Sequence, residues 1–155
     1  MSRRKTRGKG SSNVPLLFDT NIVSLYRSGD QTIRNKVKAI PVSERFLSDT
    51  TVLEILRGYF AVLNVEQDKG QKGKANNTVR AYASLRVALD YISGVLVLPY
   101  NERAEAIFQS YPADIKRGKG NDCRIAATAA AHDMPVVTRN RHDFEKIPGA
   151  RITEW

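Results

Sequence analysis

The sequence predicts an α/β domain in which a parallel sheet is covered on both faces by helices. Three observations carry this. Continuous apolar runs recur at residues 16–18, 95–98 and 135–138, as strands buried on both faces require. Stretches with apolar residues at helical spacing lie between them. Strands that alternate with helices in this way favour parallel pairing. At 155 residues with 41% hydrophobic content, the chain is long enough for one domain with a real core.

The first thirteen residues stand apart. Arg3, Arg4, Lys5, Arg7 and Lys9 carry five positive charges with no acid among them. Gly8, Gly10, Ser11 and Ser12 complete a segment with almost nothing to bury, so residues 1–13 are expected to be a disordered basic arm and residues 14–155 the folded domain. The net charge of +9 favours a polyanionic partner, and an acidic protein or a membrane surface would satisfy it as well. No apolar run approaches the ~20 residues of a membrane span, and no apolar h-region follows the basic start, so neither a membrane span nor a secretory signal is expected. Cys123 is the only cysteine, which rules out an intrachain disulfide and fits a reducing, cytoplasmic setting.

In chain order, Leu16, Leu17 and Phe18 form the first strand, which stops abruptly at Asp19, Thr20 and Asn21. Short helices are expected over 22–27 and 32–39, broken at Gly29 and Asp30 and ended by Pro41. A strand at 45–48 leads to Asp49 and Thr50 as N-cap candidates and to a helix through Leu63, with Val52, Leu53, Leu56, Phe60 and Leu63 at helical spacing. Residues 67–77, rich in Gly, Lys, Asn and Gln, read as a mobile connection. A helix over 78–92 sets Val79, Tyr82, Leu85, Leu89 and Ile92 on one stripe. A strand at 95–98, an amphipathic helix over 102–111 and a polar loop over 112–120 follow. Asn121 and Asp122 open an alanine-rich helix suited to close approach to a sheet. The strand at 135–138 ends in Arg139 and Asn140, Asp143 lies in the turn beyond, and 150–155 forms a last short strand.

Four acids stand out by position: Asp19 at the end of a strand, Glu54 in the helix after the second, Asp122 at the start of the alanine-rich helix, and Asp143 just past the strand ending in Thr138. Ligands bind at such carboxyl ends of parallel sheets. Each acid also has a plain structural reading, as a helix cap, a surface residue or a turn former. Gathered on one rim, they would raise one another's pKa, and a hard divalent cation would relieve the repulsion. An oxygen-only donor set without histidine or cysteine favours Mg²⁺, or Mn²⁺, over Zn²⁺. Thr20, Asn21, Thr138 and Asn140 supply hydroxyl and amide groups around the acids.

Four ordered motifs carry a resemblance: Leu17-Phe-Asp-Thr-Asn-Ile22, Glu54-Ile-Leu-Arg-Gly58, Asn121-Asp-Cys-Arg-Ile-Ala-Ala-Thr-Ala129 and Val137-Thr-Arg-Asn-Arg-His-Asp-Phe144. Together they resemble the PIN-domain nucleases, most of all the VapC-type toxins of toxin–antitoxin pairs. The resemblance implies a three-layer α/β/α fold with about five parallel strands, and Mg²⁺-dependent endoribonuclease activity leaving 5′-phosphate and 3′-hydroxyl ends. By the same resemblance Asp19, Glu54, Asp122 and Asp143 form an acidic quartet supported by Asn21, Thr138 and Asn140. It also implies a cognate antitoxin and a homodimer. The basic arm lies outside the family pattern, and residues 67–77 look longer and more basic than such toxins carry.

For the mechanism, Asp19 and Asp122 are expected as direct metal ligands, with Glu54 and Asp143 acting through water or orienting the nucleophile for in-line attack on a phosphodiester. Arg57, Lys119, Arg124, Arg139 and Arg141 bracket the acids and are candidates to grip RNA phosphates. Two other classes fit parts of the pattern: a catalytically idle RNA-binding module, and a response-regulator-like phosphoacceptor. The latter wants a lysine after a late strand, where this chain has Arg139.

Overall fold

A computed structural model describes residues 14–155; the expected basic arm lies outside the described residues. The chain runs through β1 (Leu16–Phe18), α1 (Thr20–Ser28), α2 (Gln31–Ala39), a 3₁₀ turn (Val42–Glu44), β2 (Arg45–Ser48), α3 (Asp49–Gln71), α4 (Thr78–Ser93) and β3 (Leu96–Leu98). It continues through α5 (Glu102–Ser110), α6 (Ala113–Gly118), α7 (Gly120–Ala131), β4 (Val136–Thr138), α8 (Arg141–Phe144) and β5 (Ile152–Glu154).

The five strands form one sheet in the order β3-β2-β1-β4-β5, and every pairing is parallel. Leu17 stands between Phe46 and Val136, and Phe18 beside Val137. Successive side chains leave opposite faces of a strand, and the core divides accordingly. Leu17 and Val136 pack with Phe108, Cys123, Ala126 and Phe144 under α5 and α7. Phe18 and Val137 pack with Ile22, Val23, Ile33, Leu47 and Ile55 under α1, α2 and α3. Each such apolar side chain contributes about 1.5–3 kcal/mol on burial. The alanines of α7 let that helix lie close to the sheet: Ala126, Ala127 and Ala129 are buried. The three-layer α/β/α expectation holds, with five parallel strands.

The order of the strands also locates the crevice. The chain moves outward from β1 to β2 and β3, then crosses back over β1 to β4 and β5. The sheet therefore reverses direction between β1 and β4, and in open α/β sheets ligands bind outside the carboxyl ends of the strands at that point. Asp19 follows β1, and Thr138 ends β4.

Several boundaries differ from the sequence reading. Ser48, not Asp49 or Thr50, caps α3, its side chain accepting from the Thr51 N–H at 3.1 Å. Asp49 is recruited elsewhere and accepts from the Tyr100 N–H at 2.9 Å. α3 continues past Leu63 to Gln71, so the connection shrinks to residues 72–77. The polar composition there hid an α-hairpin held by side chains: Glu66 accepts from Lys69 at 2.5 Å and from the Asn77 N–H at 2.6 Å, and Gln67 donates to the Tyr82 hydroxyl at 2.8 Å. These contacts pull the Glu66 carboxyl below its usual range. Residues 113–118, read as loop, are the short helix α6. On α4 most of the expected apolar stripe does not face the core: Val79, Tyr82 and Leu89 are exposed, Ala81 and Ala88 are buried instead, and Ile92 packs against the core.

Candidate active site

Asp19 is the best-anchored acid. It caps α1, one oxygen accepting from the Ile22 N–H at 2.8 Å. Its other oxygen accepts from the Thr138 hydroxyl at 2.6 Å, and Thr138 in turn accepts from the Asn140 N–H at 2.8 Å. The capping role and the site role thus coincide in one residue. Each carboxylate oxygen has two lone pairs, so two bonds leave Asp19 with acceptor capacity to spare. Burial raises its pKa, the Thr138 and Ile22 bonds oppose that rise, and the charge of Glu54 adds to it. The backbone of Asn21 lies close enough to favour the charged form of the same carboxylate, and the residue is exposed.

Glu54 lies in the second turn of α3 and bridges two other elements. One oxygen accepts from the Thr20 hydroxyl of α1, and the other accepts from the Asn121 amide of α7 at 2.7 Å. Asp122 stands in the first turn of α7, whose cap residue is Lys119 and carries no side-chain capping bond. The plain reading of Asp122 as a helix cap is thereby removed. Burial, then the charges of Glu54, Asp143 and Asp19, push its pKa up to about 6, with Lys119 opposing. Asp143, on α8, is held below the usual carboxylate range by Lys119 and by the Asn140 amide. Glu54, Asp122 and Asp143 line one open depression of about 500 Å³, with Lys119 and Asn121.

The four acids therefore share one electrostatic field, and both hydroxyl and amide partners expected around Asp19 and Asp143 are in place. They do not form a closed cage: among the described residues no group of three or more His, Cys, Asp or Glu side chains is placed to hold a metal ion. Lys119 and Asn121 stand between them as hydrogen-bonding partners. Of the basic residues, Lys119 alone is in contact with the quartet. Arg124 lies over the Phe108 ring at 4.4 Å, Arg139 reaches Asp30 at 3.5 Å, and Arg141 pairs with Glu145 and Glu154. Arg57 is exposed on α3, three residues beyond Glu54. Sequence reasoning assigned no role to Asn121, although it directly precedes Asp122, and placed Thr20 only among nearby hydroxyls. The signal for both was adjacency to a motif acid.

Comparison with known proteins places this fold. The family description of the PIN domain matches residues 16–150. The tRNA(fMet)-specific endonuclease VapC of Salmonella typhimurium is 30% identical over 137 residues, which covers 80% of this chain and 89% of that protein. The chain belongs to the PIN domain family, as a VapC-type nuclease. Toxin FitB of Neisseria gonorrhoeae is 27% identical over 146 residues, 90% of this chain and 98% of that one. Among solved structures, DNA-bound VapBC from Salmonella typhimurium superposes with a TM-score of 0.64 at 24% identity, covering 92% of this chain and 98% of that chain. That likeness shows the shared fold. The family match leaves the response-regulator-like alternative without support. No helix among the described residues is long and apolar enough to cross a membrane.

Proposed function

We propose that this VapC-type protein is a Mg²⁺-dependent endoribonuclease, the toxin of a toxin–antitoxin pair acting in the cytoplasm. The observation that carries the reading is the convergence of Glu54, Asp122 and Asp143 on one depression, where burial and the charges of Glu54, Asp143 and Asp19 push the Asp122 carboxyl up to about 6. Carboxylates that strain against one another in a cleft are poised for a cation. The donors are all oxygens. Cys123 is buried in the core, and the His132 ring lies 3.3 Å from the Pro99 carbonyl, so neither joins them. The set fits Mg²⁺, or Mn²⁺, better than Zn²⁺.

Asp19 and Asp122 would hold the ion, Asp19 aimed by Thr138 and the α1 cap and Asp122 by the first turn of α7. When bound, the ion supplies charge neutralisation at the phosphate and a lowered pKa for the attacking water. Glu54, oriented from both sides by Thr20 and Asn121, would orient that water and take its proton. Asp143 would help orient the water from α8, and Lys119 beside it would be the nearest cation for a phosphate oxygen. In-line attack forms the new bond from water to phosphorus and breaks the bond to the 3′ oxygen, which takes up a proton. A 5′-phosphate and a 3′-hydroxyl result. The exposed apolar residues of α3 and α4, including Phe60, Val62, Val65 and Val79, support a protein partner, a second copy and an antitoxin being the expected ones.

The test is cleavage of RNA by the purified chain with Mg²⁺ and with EDTA, transfer RNA first because it is what the named relative cuts. Metal-dependent cleavage, suppressed by the product of a neighbouring small reading frame, is expected. RNA binding without cleavage would favour the idle binding module.

A further inference from the structure

Beside the acids lies a second depression, of about 460 Å³, between α1 and α3. Thr20 and Glu54 form its near end and Ser24, Arg27, Gly58 and Tyr59 its far end. It is of the size that takes one small organic group. The Arg27 guanidinium lies 5.1 Å from the centre of the Tyr59 ring and 5.5 Å from that of Tyr91. It belongs to none of the ion pairs among the described residues. An arginine and a tyrosine ring side by side in the lining of a depression offer a cation for a phosphate and an aromatic face for a base.

Gly58 is an independent observation. It sits mid-way along α3, where glycine weakens a helix relative to alanine. A methyl there would clash with nothing: a Cβ added at Gly58 meets no atom within 4 Å. Packing therefore does not require glycine, and its effect is to leave the floor of this depression open, one helical turn from Glu54.

We propose that this depression is a subsite for one unpaired nucleotide of the RNA, the neighbour of the phosphate held at the acids. Its base stacks on the Arg27–Tyr59 pair and its backbone is met by Arg27. The inference rests on the nuclease reading and adds to it that the substrate is single-stranded at this step. A protein segment is the less favoured occupant, because a segment carrying cations toward the carboxylates would meet Arg27.

The probe is a fluorescein-labelled eight-residue oligouridylate, alone or annealed to its complement, measured by anisotropy on the full chain carrying Asp122→Asn so that it is not cut. Gly58→Leu, which fills the floor, should weaken binding of the single strand by about tenfold or more, as loss of one stacked base does, while its Tm equals or exceeds the parent's. Arg27→Gln should lower the log–log salt slope by about 0.7, one phosphate contact on a single strand. The duplex should bind weakly in every variant. The proposal is overturned if Gly58→Leu, cooperatively folded, binds the single strand like the Asp122→Asn chain, or if, with Asp122 intact, it cuts like the unsubstituted chain or loses only protection by the antitoxin. Should Gly58→Leu fail to fold, Arg27→Gln and Tyr59→Leu decide: unchanged affinity in both overturns it. An unsubstituted chain that cuts RNA while these variants bind normally keeps the nuclease and loses the subsite. An unsubstituted chain that never cuts, while the variants show the pocket-dependent loss of binding, does the opposite.

Discussion

Asp122→Asn separates a functional carboxylate from a structural one. The folded protein raises the Asp122 pKa from 3.8 to about 6, so the folded state holds this proton more tightly than the unfolded chain does. The sign follows: the proton-linked stabilisation is present below the unfolded value and is lost as pH rises through about 6. At pH 7.5 the ionised carboxylate is a cost. The full displacement corresponds to about 3 kcal/mol, and solvent screening at a part-exposed group cuts it to about 1–2 kcal/mol. Replacing a first-turn acid loses about 0.3–1 kcal/mol of helix-dipole interaction in return. Asp122→Asn should thus melt at or above the parent at pH 7.5, by up to about 4 °C, and should flatten the decline in stability between pH 4 and 6. Differential scanning fluorimetry across that range reads both. Added Mg²⁺ should raise the parent's Tm by mass action and the variant's much less. Cleavage should fall by more than about 100-fold, beyond what loss of an outer partner costs, while RNA binding persists or tightens. A variant that is less stable at pH 7.5, equally responsive to Mg²⁺ and fully active would refute the reasoning at every step.

Thr138→Val removes a donor from Asp19 and an acceptor from the Asn140 N–H, leaving buried polar atoms unpaired; urea unfolding should show a loss of about 2–3 kcal/mol, with activity reduced as well. Lys119→Met should let the Asp143 carboxyl titrate at a higher pH, since Lys119 is the largest cause of its depression, and carboxyl NMR shifts against pH would follow this directly. Gly58→Ala should raise stability by about 1 kcal/mol, because no neighbouring atom opposes the added methyl; a fall in urea midpoint would show that the helix needs glycine there. Glu66→Gln should lower the stability of the α3–α4 hairpin, seen as faster amide exchange at Asn77, whose N–H it holds.

The β1–Asp19 junction was legible because two local signals agree there: a doubly buried strand and a residue that can both cap a helix and face a crevice. The same agreement makes the α7 helix readable, although its start shifts to Gly120 and frees Asp122 from capping. What failed to show was decided by side chains distant in sequence. The end of α3, residues 67–71, looks like loop by composition and is fixed by Glu66, Gln67 and their partners 11 and 15 residues away. The stripe on α4 is a true helical period of which Val79, Tyr82 and Leu89 are turned outward, because α4 packs on the core through Ala88, Tyr91 and Ile92. Periodicity reports which face is apolar and not what covers it. Charge alone was likewise a poor guide to which arginines serve the site: Arg124 and Arg141 are adjacent to motif acids in sequence, yet Phe108 and Glu145 take them.

The site's charge balance explains why its polar partners matter as much as its acids. Glu54, Asp122, Asp143 and Asp19 bring four carboxyls within mutual electrostatic reach, and one ammonium, that of Lys119, opposes them directly. Neutral donors do the remaining work: Thr20 and Asn121 on Glu54, Thr138 and Ile22 on Asp19, Asn140 on Asp143. Such donors fix the direction of a carboxylate without neutralising it. Asp122 alone has no such assistance among the causes acting on its pKa, and it is the acid whose pKa rises to about 6. Burial and like charge, opposed only in part by Lys119, account for that rise, whereas each of the other three carboxyls has a neutral donor to fix its direction.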